Sequence, residues 1–147
     1  MNLYTIGFTQ KNAQEFFTLL EHNRVELLID VRLNNKSQLA SFTKDPDLKF
    51  FLSKISNVQY AHDISFAPTK ELLDNYKKKL ITWETYEAEY NDLITKRKIE
   101  RAFTEIVQDK YQNVCLLCSE PTPEHCHRRL MAEYLKRWNP TIQIIHI

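Results

Sequence analysis

Reactive side chains are concentrated in residues 117–130 of the 147-residue chain, which read LCSEPTPEHCHRRL. The candidate groups in this segment are the thiols of Cys118 and Cys126, the carboxylate of Glu120, the imidazole of His127 and the guanidinium of Arg128. Thiols act as nucleophiles, carboxylates and imidazoles exchange protons, and arginine binds phosphate or carboxylate groups. The segment therefore predicts an active site with Cys118, Glu120, Cys126 and His127 as its catalytic residues.

The same segment carries the signature of a helix N-terminus. Thr122, Pro123 and Glu124 follow the order of a capping residue, a proline and an acid, which predicts that the last helix begins there. Free amide groups in a first helical turn attract anions, and a cysteine in that turn beside a histidine and an arginine has a lowered pKa. Cys126 is therefore a candidate thiolate nucleophile. Packing in the core is an equally strong interpretation, because cysteine is among the most buried residue types.

Strand-length apolar runs alternate with helical patterns along the chain. The apolar runs are residues 3–8, 25–31, 58–61, 114–118 and 142–147. In most of the intervals between them, apolar residues recur at helical spacing. This alternation predicts a single α/β domain over residues 1–147, with a mostly parallel sheet of about five strands flanked by helices in a Rossmann-like, three-layer arrangement. The near-continuous apolar runs VELLIDV and VCLLC agree, because parallel strands are buried on both faces.

The carboxyl ends of these strands carry further polar residues, and ligands of open α/β sheets bind at that edge. In chain order the strand ends deliver Gly7 and Thr9, Asp30 and Arg32, His62 and Asp63, and Cys118 with Ser119 and Glu120. We expect Thr9, Arg32 and Arg128 to bind the substrate or an anion. Alternatives are an ion pair of Arg32 with Asp30 or Glu120, and a structural role for His62. The lysines at 77–79 are interpreted as a solvated helix face.

Cys115 and Cys118 have the C-x-x-C spacing found in many zinc sites. Residues three apart on a strand point to opposite faces, so Cys115 is expected in the core and this spacing does not make a metal site. A metal held by Cys118, His127 and a carboxylate, or a redox pair of Cys118 and Cys126, remains a secondary alternative. Neither a metal nor a cofactor is predicted.

Composition restricts the class of protein. Lys and Arg number 20 against 19 Asp and Glu, so the chain lacks the basic excess of proteins that bind mainly phosphate backbones. No segment reaches the roughly 20 apolar residues of a membrane helix, and the first residues lack a basic signal-peptide start. Three cysteines are an odd number for a disulfide framework, so we expect free thiols and a cytoplasmic location. The expected partner is a small anionic ligand, with nucleic acid as an alternative; no membrane partner is expected, and the oligomeric state is not predicted.

Several motifs resemble those of the family catalogued as domain of unknown function 488. They are YTIGFT near the start, ELLIDVR at the second strand, VQYAHDI at the third, and LLCSEPTPEHCHRRLMAEYL. The last is similar to the family's cysteine–acid, proline and Cys-His-Arg signature, with matches at Cys118, Glu120, Pro123, Cys126, His127 and Arg128. The resemblance implies an α/β fold with a pocket at the sheet edge, and it implies no particular activity.

The chain departs from the family pattern near its first three strands. The Gly-His-Ser start motif is replaced by Gly7-Phe8-Thr9, so a histidine role does not carry over, whereas the Thr9 hydroxyl can replace serine. A proline and basic residues are replaced by Asn34, Asn35, Lys36 and Gln38, and a double glycine by Phe66-Ala67-Pro68-Thr69. The order LIDVR, a strand ending in cysteine and an arginine-rich helix is also similar in layout to rhodanese domains, but fold does not carry function.

Three functions compete on this reasoning. The first is an enzyme that acts on a small phosphorylated or nucleotide-like substrate through the Cys/Glu/Cys-His-Arg pocket. The second is a binding module for nucleic acid or a nucleotide without catalysis, using Arg32, Lys36 and the polar loop 32–44. The third is a structural role in which the Cys-His-Arg set locks a helix to the sheet. The clustering of a thiol, an acid and two arginines favours the enzyme.

Overall fold

The computed structural model describes residues 1–147 and contains one sheet of five parallel strands. The strands are β1 (Asn2–Gly7), β2 (Leu27–Asp30), β3 (Gln59–His62), β4 (Asn113–Cys118) and β5 (Gln143–His146). Their order across the sheet is β3-β2-β4-β1-β5, and every pairing is parallel. The predicted α/β class with a mostly parallel five-stranded sheet is confirmed.

Six α-helices connect the strands: α1 (Ala13–His22), α2 (Asp47–Phe51), α3 (Lys70–Lys77), α4 (Trp83–Lys96), α5 (Ile99–Val107) and α6 (His127–Trp138). Short 3₁₀ segments occupy Gln38–Thr43 and Ile64–Phe66, and a π-helical turn follows α2 over Leu52–Ser56. No helix has both the length and the apolar character needed to cross a membrane.

The sheet separates two hydrophobic cores, because side chains along a strand alternate between its faces. One face packs against α1 and α2, whose inward residues include Phe16 and Leu48. The other face packs against α4, α5 and α6, where Leu130 is an inward residue. Cys115 belongs to the first core and Cys118 belongs to the second. The prediction that Cys115 is a core residue on the opposite face from Cys118 is confirmed.

The last helix begins later than its sequence signal predicts. α6 starts at His127 rather than near Thr122, and Cys126 is the extended residue that precedes it, with no side-chain capping bond. The segment before it forms bends and turns, in which the Cys126 N–H donates to the Pro123 carbonyl at 3.2 Å. The cap–proline–acid order therefore serves a turn here, because the same residue types favour turns and helix starts.

Candidate functional site

The carboxyl ends of β1 to β4 meet at one edge of the sheet, as the sequence predicts. Gly7 lies in register with Cys118, and Asp30 lies in register with Leu117 and His62. A cavity of about 690 Å³ opens beyond the ends of β2 and β4, and α3 contributes residues to its wall. Five of the predicted site residues line this cavity: Arg32, Cys118, Glu120, Cys126 and His127.

Cys118 and Cys126 lie side by side in the cavity wall. Cys118 ends β4 and is 4% exposed, while Cys126 precedes α6 and is 2% exposed. Their sulfur atoms lie within 4.8 Å of each other. The Cys126 thiol beside the Cys118 sulfur lowers the pKa of Cys118, and backbone N–H groups of Ser119 and Glu120 and the charge of Arg128 lower it further. Together they outweigh the burial that raises this pKa, so Cys118 is the thiol prepared to ionise.

The expectation that Cys126 carries the lowered pKa is wrong. Burial raises the pKa of Cys126 well above its ordinary value, and the adjacent Cys118 raises it further. The charges of His127 and Arg128 lower it, but by less than burial and Cys118 raise it. Cys126 also precedes the first turn of α6 instead of lying within it. The pKa values of the two thiols are therefore shifted in opposite directions, and Cys118 is the one whose ionisation its surroundings favour.

His127 lies against the Cys118 sulfur and is held in one orientation. Its Nε2 is 2.9 Å from the carbonyl oxygen of Val31. A carbonyl only accepts hydrogen bonds, so Nε2 carries the proton and Nδ1 keeps a lone pair in the neutral ring. Cys118 Sγ lies 3.7 Å from both Nδ1 and Nε2, and the Tyr90 ring packs against the imidazole at 5.4 Å between centroids. The sulfur therefore faces the imidazole without a hydrogen bond directed at one nitrogen, and Nδ1 is the ring nitrogen that is free to accept a proton.

Arg128 lies beneath the loop after β4 and does not line the cavity. It is 1% exposed, its Nη1 donates to the Glu120 carbonyl at 2.6 Å, and its buried Nε has no hydrogen-bond partner. Gly7, the only glycine of the chain, makes this packing possible, because a Cβ there would overlap the Glu120 carbonyl oxygen. Arg128 therefore fixes the loop that supplies amide groups to Cys118 and adds a positive charge nearby.

Arg32 lines the cavity, but its guanidinium is paired inside the protein. Nε and Nη2 donate to the two carboxylate oxygens of Asp30 at 2.8 and 2.7 Å. Nη1 donates to the Thr43 hydroxyl at 3.0 Å and Nη2 to the Thr43 carbonyl at 2.7 Å. The Tyr60 hydroxyl donates to the same carboxylate at 2.7 Å. The structure thus contains the Arg32–Asp30 pair that the sequence left as the alternative to anion binding.

Thr9 and His62 lie outside the cavity lining. Thr9 is exposed, its backbone N–H donates to the Ser119 carbonyl at 3.2 Å, and it lines a separate depression with Lys11 and Thr122. His62 Nε2 is 2.8 Å from the Arg32 carbonyl oxygen, a contact of the structural kind. The structure therefore brings Thr9 to the sheet edge but not into the cavity that holds the cysteines.

Sequence reasoning misses the contribution of α3 to the cavity wall. The α3 residues Lys70, Leu73, Asp74 and Lys77 line the cavity at spacings of three and four, and Lys79 follows them. Lys70 is paired with Asp74 at 2.7 Å, whereas Lys77 and Lys79 form no ion pair. The spacing of Lys70, Leu73, Asp74 and Lys77 puts them on one helix face, and this spacing could have indicated from the sequence that they line a site together. The interpretation of the lysines at 77–79 as only a solvated face is incomplete, because two of them border the cavity.

Cys118, Cys126 and His127 are the residues that could hold a metal ion, since their ligand atoms lie within 4.8 Å of one another. The Nε2–Val31 contact is of the kind that orients metal-binding histidines. No carboxylate belongs to this group, and the positive charge of buried Arg128 acts on both sulfurs. That charge favours a thiolate or a bound anion over a divalent cation.

Comparison with protein families matches residues 12–135 to the family described as Domain of unknown function DUF488. The matched range covers most of the chain and includes the end of β2 and the whole segment from Cys118 to Arg128. Comparisons with curated proteins and with solved structures give no match. The match agrees with the resemblance carried by the sequence motifs, and the chain therefore belongs to the DUF488 family of domains of unknown function.

Proposed function

We propose that this protein is a thiol enzyme that acts on a small phosphorylated or nucleotide-like substrate, with Cys118 as the nucleophile. The observation that carries the proposal is the environment of the Cys118 sulfur. Cys118 lines a cavity of about 690 Å³, and its sulfur lies 3.7 Å from both imidazole nitrogens of His127. A thiol beside a proton acceptor in the wall of a cavity can attack a bound substrate.

Each neighbouring group has a part in this chemistry. The Cys118 proton passes to Nδ1 of His127, whose other nitrogen is held by the Val31 carbonyl. The Cys126 thiol, amide groups of the following loop and the charge of Arg128 stabilise the thiolate. Glu120 is exposed at the edge of the cavity, where its carboxylate can exchange a proton with the substrate.

The charges and rings of the cavity support an anionic, ring-containing substrate. Lys77 and Lys79 border it without a carboxylate partner, so their ammonium groups are available to a phosphate. Tyr76 lines the same cavity, is half-buried and offers aromatic surface to a base or a sugar. The volume falls within the range of about 300–1,000 Å³ typical of small-molecule sites. We propose a cytoplasmic location because its reducing conditions keep the three free thiols reduced.

Nucleic-acid binding without catalysis has less support. Its leading contact, Arg32, is 4% exposed and engaged by Asp30 and Thr43, so it does not reach outward to a phosphate backbone. The exposed Lys36 remains available on that loop. A small anion is therefore the better-supported ligand.

Protection of Cys118 from alkylation tests the proposal. The protein is treated with iodoacetamide at rising concentrations of inorganic phosphate or AMP, and modification of each cysteine is followed by mass spectrometry. A Glu-specific protease cleaves after Glu124, which separates Cys126 from the peptide that carries Cys115 and Cys118. We expect phosphate or AMP to slow Cys118 alkylation several-fold, and we expect the double variant Lys77→Ala/Lys79→Ala to abolish this protection.

The variant Lys36→Ala is the matched control, because it removes an exposed lysine that does not line the cavity. It should retain the protection. Equal loss of protection in both variants would show general charge screening and contradict a site on α3. Cys118 alkylation that neither anion slows would contradict the proposed substrate class, and alkylation no faster than that of Cys115 would contradict the nucleophile.

A further inference from the structure

Cys126 lies against the proposed nucleophile and lowers the pKa of Cys118, but it has no step of its own in the proposed reaction. Both cysteines line the cavity and their sulfurs lie within 4.8 Å of each other, so a small oxidant that enters the cavity comes close to the pair. Cys115 is fully buried on the opposite face of the sheet and does not line the cavity. The chain thus has one adjacent pair of thiols and one isolated thiol.

Cys118 and Cys126 lie at the two ends of the loop that joins β4 to α6. Cys118 is the last residue of β4, and Cys126 is in an extended conformation (φ −138°, ψ 136°) before α6. The segment between them forms bends and turns instead of a helix or a strand. A disulfide needs a separation of about 2.05 Å between the sulfurs, and a local shift of this segment can supply the approach.

We propose that Cys118 and Cys126 form a reversible disulfide in response to a hydroperoxide. The proposal rests on the proposed function for the identity of the nucleophile and adds a second activity and a means of regulation to the same site. The Cys118 thiolate attacks one peroxide oxygen, an S–O bond forms and the O–O bond breaks. The departing alkoxide takes the proton that Cys118 gave to His127 and leaves as an alcohol, while Cys118 becomes a sulfenic acid.

The second step joins the two cysteines. The Cys126 sulfur attacks the Cys118 sulfur, an S–S bond forms and the S–O bond breaks. The hydroxide that leaves takes the Cys126 proton and becomes water. Two thiols are oxidised by two electrons, and the hydroperoxide is reduced by the same two electrons to an alcohol and water.

Oxidation of Cys118 itself prepares Cys126 for this step. In the reduced protein the adjacent Cys118 raises the pKa of Cys126, while His127 and Arg128 lower it. Conversion of the Cys118 thiolate to a neutral sulfenic acid removes the negative charge next to Cys126, and the positive charge of Arg128 then favours its ionisation. The disulfide removes the nucleophile and stops the proposed reaction, and a dithiol reductant restores it.

Hydrogen peroxide is the probe for the test, applied to the full chain and to Cys115→Ala, Cys118→Ser and Cys126→Ser variants. We expect peroxide to oxidise two of the three free thiols of the wild type, so that one thiol remains. Non-reducing digestion with the Glu-specific protease should then give one linked species that contains the peptides on both sides of Glu124. Cys115→Ala should form the same link, and dithiothreitol should reverse it.

The variants separate this inference from the proposed function. Cys126→Ser should accumulate a sulfenic acid at Cys118 that dimedone traps, and it should keep the anion protection of Cys118 alkylation. Cys118→Ser should lose no thiol to peroxide at the same dose. Three results with the wild-type protein would each overturn the inference. They are dimedone trapping at Cys118 as complete as in Cys126→Ser, formation of intermolecular disulfides only, and no loss of thiols. Circular dichroism spectra that match the wild type establish that each variant is folded.

Discussion

The carboxyl end of β2 and the start of α6 each hold a buried arginine, and the two are used differently. At β2, all three guanidinium nitrogens of Arg32 are engaged by Asp30 and Thr43. At α6, Arg128 has the Glu120 carbonyl as a partner and a buried Nε without one. A buried charge without a counter-ion is unfavourable. Arg32 therefore forms an internal ion pair with Asp30, whereas the charge of Arg128 is not neutralised in this way and can stabilise the Cys118 thiolate.

Breaking the closed ion pair should have the largest effect on stability. Asp30→Asn leaves the Arg32 cation buried without its counter-charge, and removing one partner of such a pair typically costs about 3–5 kcal/mol. Urea denaturation should show this decrease in the free energy of unfolding. The double variant Asp30→Asn/Arg32→Met removes both charges and should recover part of the loss. A decrease below about 1 kcal/mol would indicate a solvated pair, since exposed ion pairs contribute in that range.

A larger side chain at Gly7 should perturb the loop after β4, which packs against Arg128 at the start of α6. In Gly7→Ala the new Cβ meets the Glu120 carbonyl oxygen, a backbone atom that cannot rotate away. We expect a loss of about 1–3 kcal/mol in thermal or urea unfolding, the usual range for overpacking. Cys118 alkylation should slow as well, because the displaced loop carries the amide groups that stabilise its thiolate. Wild-type stability together with wild-type alkylation would contradict the packing of Gly7 against the loop.

Removal of the Arg128 charge should act on reactivity more than on stability. Arg128→Met deletes a cation that lowers the pKa of Cys118, so the folded-state pKa rises and less thiolate is present near neutral pH. A rise of one pKa unit reduces the thiolate fraction about tenfold, and the alkylation rate at pH 7 should fall by up to about that factor. The control Arg128→Lys keeps the charge and should retain more of the rate.

One experimental result would contradict the different roles assigned to Arg32 and Arg128. If Arg128→Met lowered stability as much as Asp30→Asn and left Cys118 alkylation unchanged, both regions would serve the fold alone. That result corresponds to the structural alternative in which the Cys-His-Arg set only locks α6 to the sheet.

The location of the candidate site at one edge of the sheet could be predicted from the sequence. The carboxyl ends of parallel strands share one edge of a sheet, so Gly7, Asp30, His62 and Cys118 had to converge once the strands were identified. The alternation of side chains on a strand likewise assigned Cys115 to the opposite core. Both inferences depend on local periodicity, which the sequence carries directly.

The roles of individual residues could not be predicted in the same way. The Thr122-Pro123-Glu124 order is compatible with a turn as well as a helix start, and the actual start at His127 decides the environment of Cys126. Which cysteine ionises first depends on distances between segments that fold together, here Cys126, the loop after β4 and Arg128. The pairing of Arg32 with Asp30 rather than with an anion likewise depends on tertiary packing.

The pH dependence of alkylation at each cysteine tests the central claim most directly. Cys118 has a pKa lowered from the ordinary thiol value of 9.0, and Cys126 has one raised well above it. Iodoacetamide reacts with thiolates, so the Cys118 rate should reach half its maximum below pH 9.0, while Cys126 should remain slow at that pH. A Cys126 midpoint below that of Cys118 would contradict the assignment of Cys118 as the reactive sulfur.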